Sequence, residues 1–115
     1  MTAPSIPSGP AKRVTILITQ PHGDHHPIHL QILERLKAEG AAGATAFKGI
    51  AGYGSRHVVH STRLAEITPD LPYMIVWFDT AERVERLLPD IETLVTQGLI
   101  TVEDVEVVLH VHREH

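Results

Sequence analysis

Two hydrophobic periods alternate along this chain, and they do so twice in the same order. In residues 13–19, Val14, Ile16 and Ile18 take every second position, with Arg13, Thr15 and Thr19 between them. That is the period of a strand with one buried face. A polar loop follows over residues 20–26, with Pro21 and Gly23. Pro27 suits the first residue of a helix, because its missing N–H costs nothing there. Ile28, Ile32, Leu33 and Leu36 then recur at helical spacing, and Gly40 is placed to close the helix as a left-handed cap. Residues 44–49 form a short strand. Residues 50–66 are polar and punctuated by glycine, the kind of long connection that is functional or mobile.

The second unit begins after the turn Thr68-Pro69-Asp70. Residues 71–78 are the most apolar stretch and read as a central strand, with Pro72 near its start, where a missing donor is tolerated. Asp79-Thr80-Ala81-Glu82 reads as a capped helix start. Val84, Leu87, Leu88, Ile91, Leu94 and Val95 make the helical stripe, which Pro89 is expected to kink or split. Gln97-Gly98-Leu99 ends it. Val105, Val107, Leu109 and Val111 then alternate with Glu106, Val108, His110 and His112 as a last strand. Two β-α-β units predict an α+β, ferredoxin-like βαββαβ sandwich: an antiparallel four-stranded sheet with both helices on one face. Leu17, Phe47 and Val108 fall on the other face, and an open apolar face implies association.

A chain of 115 residues supports one core. The expected organisation is a disordered arm over residues 1–11, carrying Pro4, Pro7 and Pro10, a single domain over 12–112 and a tail over 113–115. The net charge of −4 and the lack of a basic patch argue against a nucleic-acid partner. No apolar run is long enough for direct membrane insertion, and no hydrophobic signal region opens the chain, so a cytoplasmic location is expected. The chain has no cysteine, which removes disulfides and thiolate chemistry. There is no nucleophile with an identifiable base and no carboxylate pair of foreseeable geometry, so an enzyme is not expected.

Three groups of residues carry chemistry. The stretch Lys48-Gly49-Ile50-Ala51-Gly52-Tyr53-Gly54 allows close backbone approach, and consecutive N–H groups there can cradle an anion with Lys48 and Arg56 adding charge. Equally, the glycines can be a bulge and tight turn at a strand end. The second group comes from the nine histidines: His22, His25, His26 and His29 cluster at a helix start, as candidate ligands for zinc or copper or as a solvated polar loop. His110 and His112 share one strand face at bidentate spacing. The third is His60, which follows the long connection and is either a ligand contact or a turn cap.

The run Gly43-Ala44-Thr45-Ala46-Phe47-Lys48-Gly49-Ile50-Ala51-Gly52-Tyr53-Gly54, with His60-Ser61-Thr62, Asp70-Leu71-Pro72 and Gly98-Leu99-Ile100-Thr101, resembles the Domain of Unknown Function 190 family of the PII-like superfamily. The shorter pattern Gly43-x-Thr45, Lys48-Gly49 and Gly52-x-Gly54 is similar to the PII signal proteins. Those are trimers that bind adenine nucleotides in clefts between subunits and contact target proteins through a mobile loop. The resemblance implies a homotrimer with sheets facing inward. It implies a regulatory protein binding a small anionic effector, an adenine nucleotide, relayed to a target protein through the loop. The implied ligand set is Thr45, Lys48, Gly49, Gly52, Tyr53, Gly54, Arg56, His60, Gly98 and Thr101. The second phosphate loop of PII is reduced here to Gly98 and Thr101, which fits an adenine nucleotide held less fully than ATP, such as AMP or a cyclic nucleotide. The alternatives are a histidine-rich divalent-metal-binding protein, and a protein-interaction module without ligand.

Overall fold

The computed structural model describes residues 4–21, 26–52, 60–61 and 70–112. Its spine is β1 (Gly9–Pro21), where Val14, Ile16 and Ile18 are buried, as their alternation requires. β1 pairs antiparallel on one side with β5 (Asp70–Asp79) and on the other with β6 (Gly98–Val107). The short β2 (Ala44–Lys48) pairs antiparallel with β5, so the sheet order is β2-β5-β1-β6. Two helices cover one face: α1 (Ile28–Ala38) buries Ile32 and Leu36, and α2 (Ala81–Glu92) buries Val84, Leu87 and Ile91. These side chains close on Val14, Ile16, Ile18, Ile75 and Trp77 from the sheet, with Ala41 beside them. The architecture is the ferredoxin-like α+β sandwich that the two β-α-β units predict.

Local signals set the helix ends. Gly40 takes φ +86°, the left-handed conformation that a side chain would strain. The Thr80 Oγ1 accepts the Arg83 N–H at 3.2 Å and caps α2. Pro89 does not split α2. The helix runs unbroken to Glu92, because the buried Leu87 and Ile91 hold both sides of Pro89 to the sheet and outweigh the one backbone hydrogen bond it cannot donate.

Strand limits depart from the sequence expectation where long-range partners decide them. The arm expected to be disordered to Ala11 already belongs to β1 from Gly9, because Gly9, Pro10 and Ala11 pair with Val107, Glu106 and Val105. Ile6 and Ala11 are buried. The last strand begins at Gly98, opposite Ile18, and ends at Val107, opposite Gly9. Past Val107 it has no ladder partner among the described residues, so His110 and His112 do not share a strand face. Within the long connection, Ala51–Gly52 (β3) and His60–Ser61 (β4) pair antiparallel as a separate two-residue ribbon. The remaining residues of that connection lie outside the described ones.

Candidate functional site: the open sheet face and its two free edges

Directly paired residues share a face, so the register assigns every position. The row Phe47–Met74–Leu17–Leu99 crosses all four strands on the face away from the helices. The next row, Thr45–Val76–Thr15–Thr101, lies on the same face. Phe47, Leu17 and Leu99 are 49%, 43% and 56% exposed, an apolar band too continuous to be scattered surface leucines. The sequence expectation named Leu17, Phe47 and Val108. Leu17 and Phe47 lie on this face, and Val108 follows the end of β6 beside a concavity of about 830 Å³ that opens on it. Met74, Val76, Phe78 and Ile6 also line that concavity, and its one charged residue is Glu106. Its described lining holds no lysine or arginine, so it offers phosphate no permanent positive charge.

The phosphate candidates stand elsewhere. Lys48 is exposed at the end of β2 and makes no ion pair among the described residues. It shares a row with Tyr73, Ile18 and Gly98. Lys48 and Gly98 therefore lie at one end of the sheet but on its two opposite free edges, three strand spacings or roughly 14 Å apart. Thr45 and Thr101 are related in the same way three positions further along the strands, on the open face. Within one protomer the structure does not bring the two halves of the expected ligand set together among the described residues. It places one half on the β2 edge and the other on the β6 edge.

The glycines differ in what they do. The Gly49 N–H donates to the Pro72 carbonyl at 2.8 Å, and a Cβ at Gly49 would stand 2.9 Å from Pro72 Cγ. A Cβ at Gly98 would stand 2.1 Å from the Leu17 carbonyl oxygen, so β6 can approach β1 there only without a side chain. Gly52, opposite His60 in the ribbon, has nothing within 4 Å of that position among the described residues. Close packing accounts for Gly49 and Gly98, and Gly52 keeps no such reason. Tyr53, Gly54 and Arg56 lie outside the described residues.

Of the histidine cluster, His22 and His25 also lie outside them. The His26 Nε2 is 2.8 Å from Glu34 Oε1. His29 stacks on Tyr73 with ring centroids 4.1 Å apart and planes within 9°. Partial burial there lowers the His29 pKa, because the charged ring would lose solvent. The two described imidazoles thus serve different partners, and among the described residues no group of three or more metal-ligating side chains comes together. His110 instead accepts a hydrogen bond at Nδ1 from the Ile6 N–H, 2.8 Å away.

The sequence reading missed Asp79 as a structural centre. Its side chain is fully buried and accepts from the Ala42 N–H, the Trp77 indole, the Thr80 N–H and the Arg83 guanidinium. Burial opposes its charge, but these donors outweigh that, and the carboxyl lies below its usual range. With its oxygens engaged this way, Asp79 joins the α1–β2 turn, β5 and α2, and is not a reacting group. The one signal for it in the sequence is a lone acid closing the most apolar strand.

Comparison with known proteins matches residues 11–107 to the model of the DUF190 family, described as an uncharacterized ACR. A UPF0166 protein of Aquifex aeolicus (strain VF5) is 39% identical over 82 residues, 71% of this chain and 77% of the relative. A UPF0166 protein of Methanocaldococcus jannaschii is 37% identical over 81 residues, 70% of this chain and 74% of that one. Among solved structures, the fold is shared with CPII, a nitrogen regulatory PII-like protein from Thiomonas intermedia K12. Its complex with ADP, AMP and bicarbonate gives a TM-score of 0.58 at 22% identity, covering 92% of this chain and 97% of that one. The complex with ADP, AMP and acetate gives 0.59 at 23% identity, covering 94% of each chain.

Proposed function

The chain belongs to the DUF190 family, and from that premise we propose that it is a non-enzymatic regulator of the PII-like kind whose effector is an adenine nucleotide bound between subunits. The observation that carries this reading is the separation of the candidate ligand residues onto the two free edges of one sheet end. Lys48, Gly49 and Gly52 stand at the β2 side, and Gly98 and Thr101 on β6. A single copy cannot close roughly 14 Å around one phosphate group. A ring of copies brings the β2 edge of one beside the β6 edge of the next and completes the site.

The open apolar face gives the ring its drive. Three copies turning the Phe47–Met74–Leu17–Leu99 rows inward remove that band from water, which is the homotrimer expected from the resemblance. At the composite edge, Lys48 supplies a point charge for phosphate. CPII, which has the same fold, is bound to ADP and AMP. The relay to a target protein runs through the connection that follows Gly52, as the resemblance implies. Isothermal titration with AMP, ADP, ATP and cyclic AMP tests the effector. Binding of at least one of them is expected, weakened by Lys48→Ala. An absence of heat with all four at millimolar concentration contradicts the reading.

A further inference from the structure

The N-terminal arm is fastened by three polar contacts, one to α2 and two to the segment that follows β6. The Ser5 carbonyl accepts from Arg83 Nη2 on α2 at 3.3 Å, the Ile6 N–H donates to His110 Nδ1 at 2.8 Å, and the Ser8 hydroxyl donates to the Val108 carbonyl at 3.1 Å. Between the second and third of these the arm carries Pro7, which has no N–H and fixes its own φ. The fastening has an apolar consequence. Ile6 is 6% exposed and forms part of the wall of the concavity on the open face.

One of the three contacts depends on protonation. An imidazole that accepts at Nδ1 carries its proton on Nε2, and the doubly protonated ring has no acceptor at all. Protonating His110 would set an N–H on Nδ1 against the Ile6 N–H at 2.8 Å, two donors with nothing between them. Charged groups around the arm among the described residues are Glu106, which shares the concavity wall, Arg83, which is paired with Asp79, and the Lys12–Asp104 pair. His112 lies exposed two residues further on. Carboxylates ordinarily titrate near pH 4 and guanidinium above about 12, so between pH 8 and 5 a histidine is the side chain that changes charge. The other two contacts use a guanidinium, a hydroxyl and backbone carbonyls, and keep their sense across that range.

We propose that the His110–Ile6 contact is a pH-operated clasp. With His110 neutral, the arm holds Ile6 against the open face. With His110 protonated, that contact is lost and the arm keeps only its Ser5 and Ser8 contacts, so the backbone at Ile6 opens more often. The inference does not rest on the nucleotide reading.

Amide hydrogen exchange of the full chain, followed by NMR and corrected for intrinsic exchange, tests it. At pH 8 the Ile6 amide should be protected. At pH 5 its protection should fall by about fivefold or more, while Ile16 in the centre of β1 stays protected. His110→Ala should lose Ile6 protection at both pH values and remove the pH effect. Equal protection of Ile6 at pH 8 and 5 in the unaltered chain overturns the proposal, and so does a pH effect that survives in the His110 variant, which would assign it to another group such as His112. The Ile16 signal reports folding in every sample, so loss of the clasp is separable from loss of the fold.

Discussion

Asp79 sets the terms at the scale of single residues, because a buried carboxylate is stabilising only while its donors remain in place. Ala42, Trp77, Thr80 and Arg83 all donate to it. Its folded pKa lies below the unfolded value. The stability it contributes is therefore complete above about pH 4, the ordinary carboxylate value, and is lost as pH falls through the lower folded value. Asp79→Asn keeps the shape, removes the charge and turns one acceptor into a donor. It should cost about 3 kcal/mol in urea unfolding at pH 7, with the gap to the unaltered chain narrowing below pH 4. A cost under about 1 kcal/mol, or a gap independent of pH, would count against this account of the site. In the sequence Asp79 is visible as part of a helix start. Its burial is not, because the Ala42 N–H that it meets comes from 37 positions away.

Among the secondary-structure elements, the interiors were legible and the limits were not. Val14, Ile16 and Ile18 declare β1 by alternation, and Val84, Leu87 and Ile91 declare α2 by helical spacing. Nothing local declares that β1 starts at Gly9 or that β6 starts at Gly98, since both limits come from the pairing of Gly9 with Val107 and of Ile18 with Gly98. The same long-range pairing makes Gly98 costly to replace. In Gly98→Ala the new methyl meets the Leu17 backbone carbonyl at 2.1 Å, and β6 has to pull away from β1. The expected loss is about 2–3 kcal/mol. In Gly49→Ala the nearest atom is Pro72 Cγ at 2.9 Å, a ring carbon that can shift. The expected loss there is below about 1 kcal/mol, since reduced unfolded-state freedom offsets part of the strain. Thermal and urea unfolding of the two variants checks the order. A Gly49 variant less stable than the Gly98 variant would mean that the β1–β6 contact is looser than described.

For the whole molecule, the open face and the two edges belong to one argument. The sequence exposed Lys48, Gly49 and Gly52 through their spacing, and Gly98 and Thr101 through family resemblance. It could not place the two sets on opposite edges, because strand order is fixed by pairing between distant segments and not by any local composition. On the proposed reading, that placement makes assembly a requirement of the site. Leu17→Glu with Phe47→Glu puts two charges into the apolar band of every copy. Sedimentation equilibrium should report a trimer for the unaltered chain and a folded monomer for this variant, with nucleotide binding lost as well. An unaltered chain that sediments as a monomer would remove the composite edge. Titration calorimetry of the unaltered chain with ADP and AMP is the most direct measurement of the central claim. The account expects saturable binding at one site per subunit, weakened at least tenfold in Lys48→Ala. No binding of either nucleotide at millimolar concentration to a chain shown to be trimeric would contradict it.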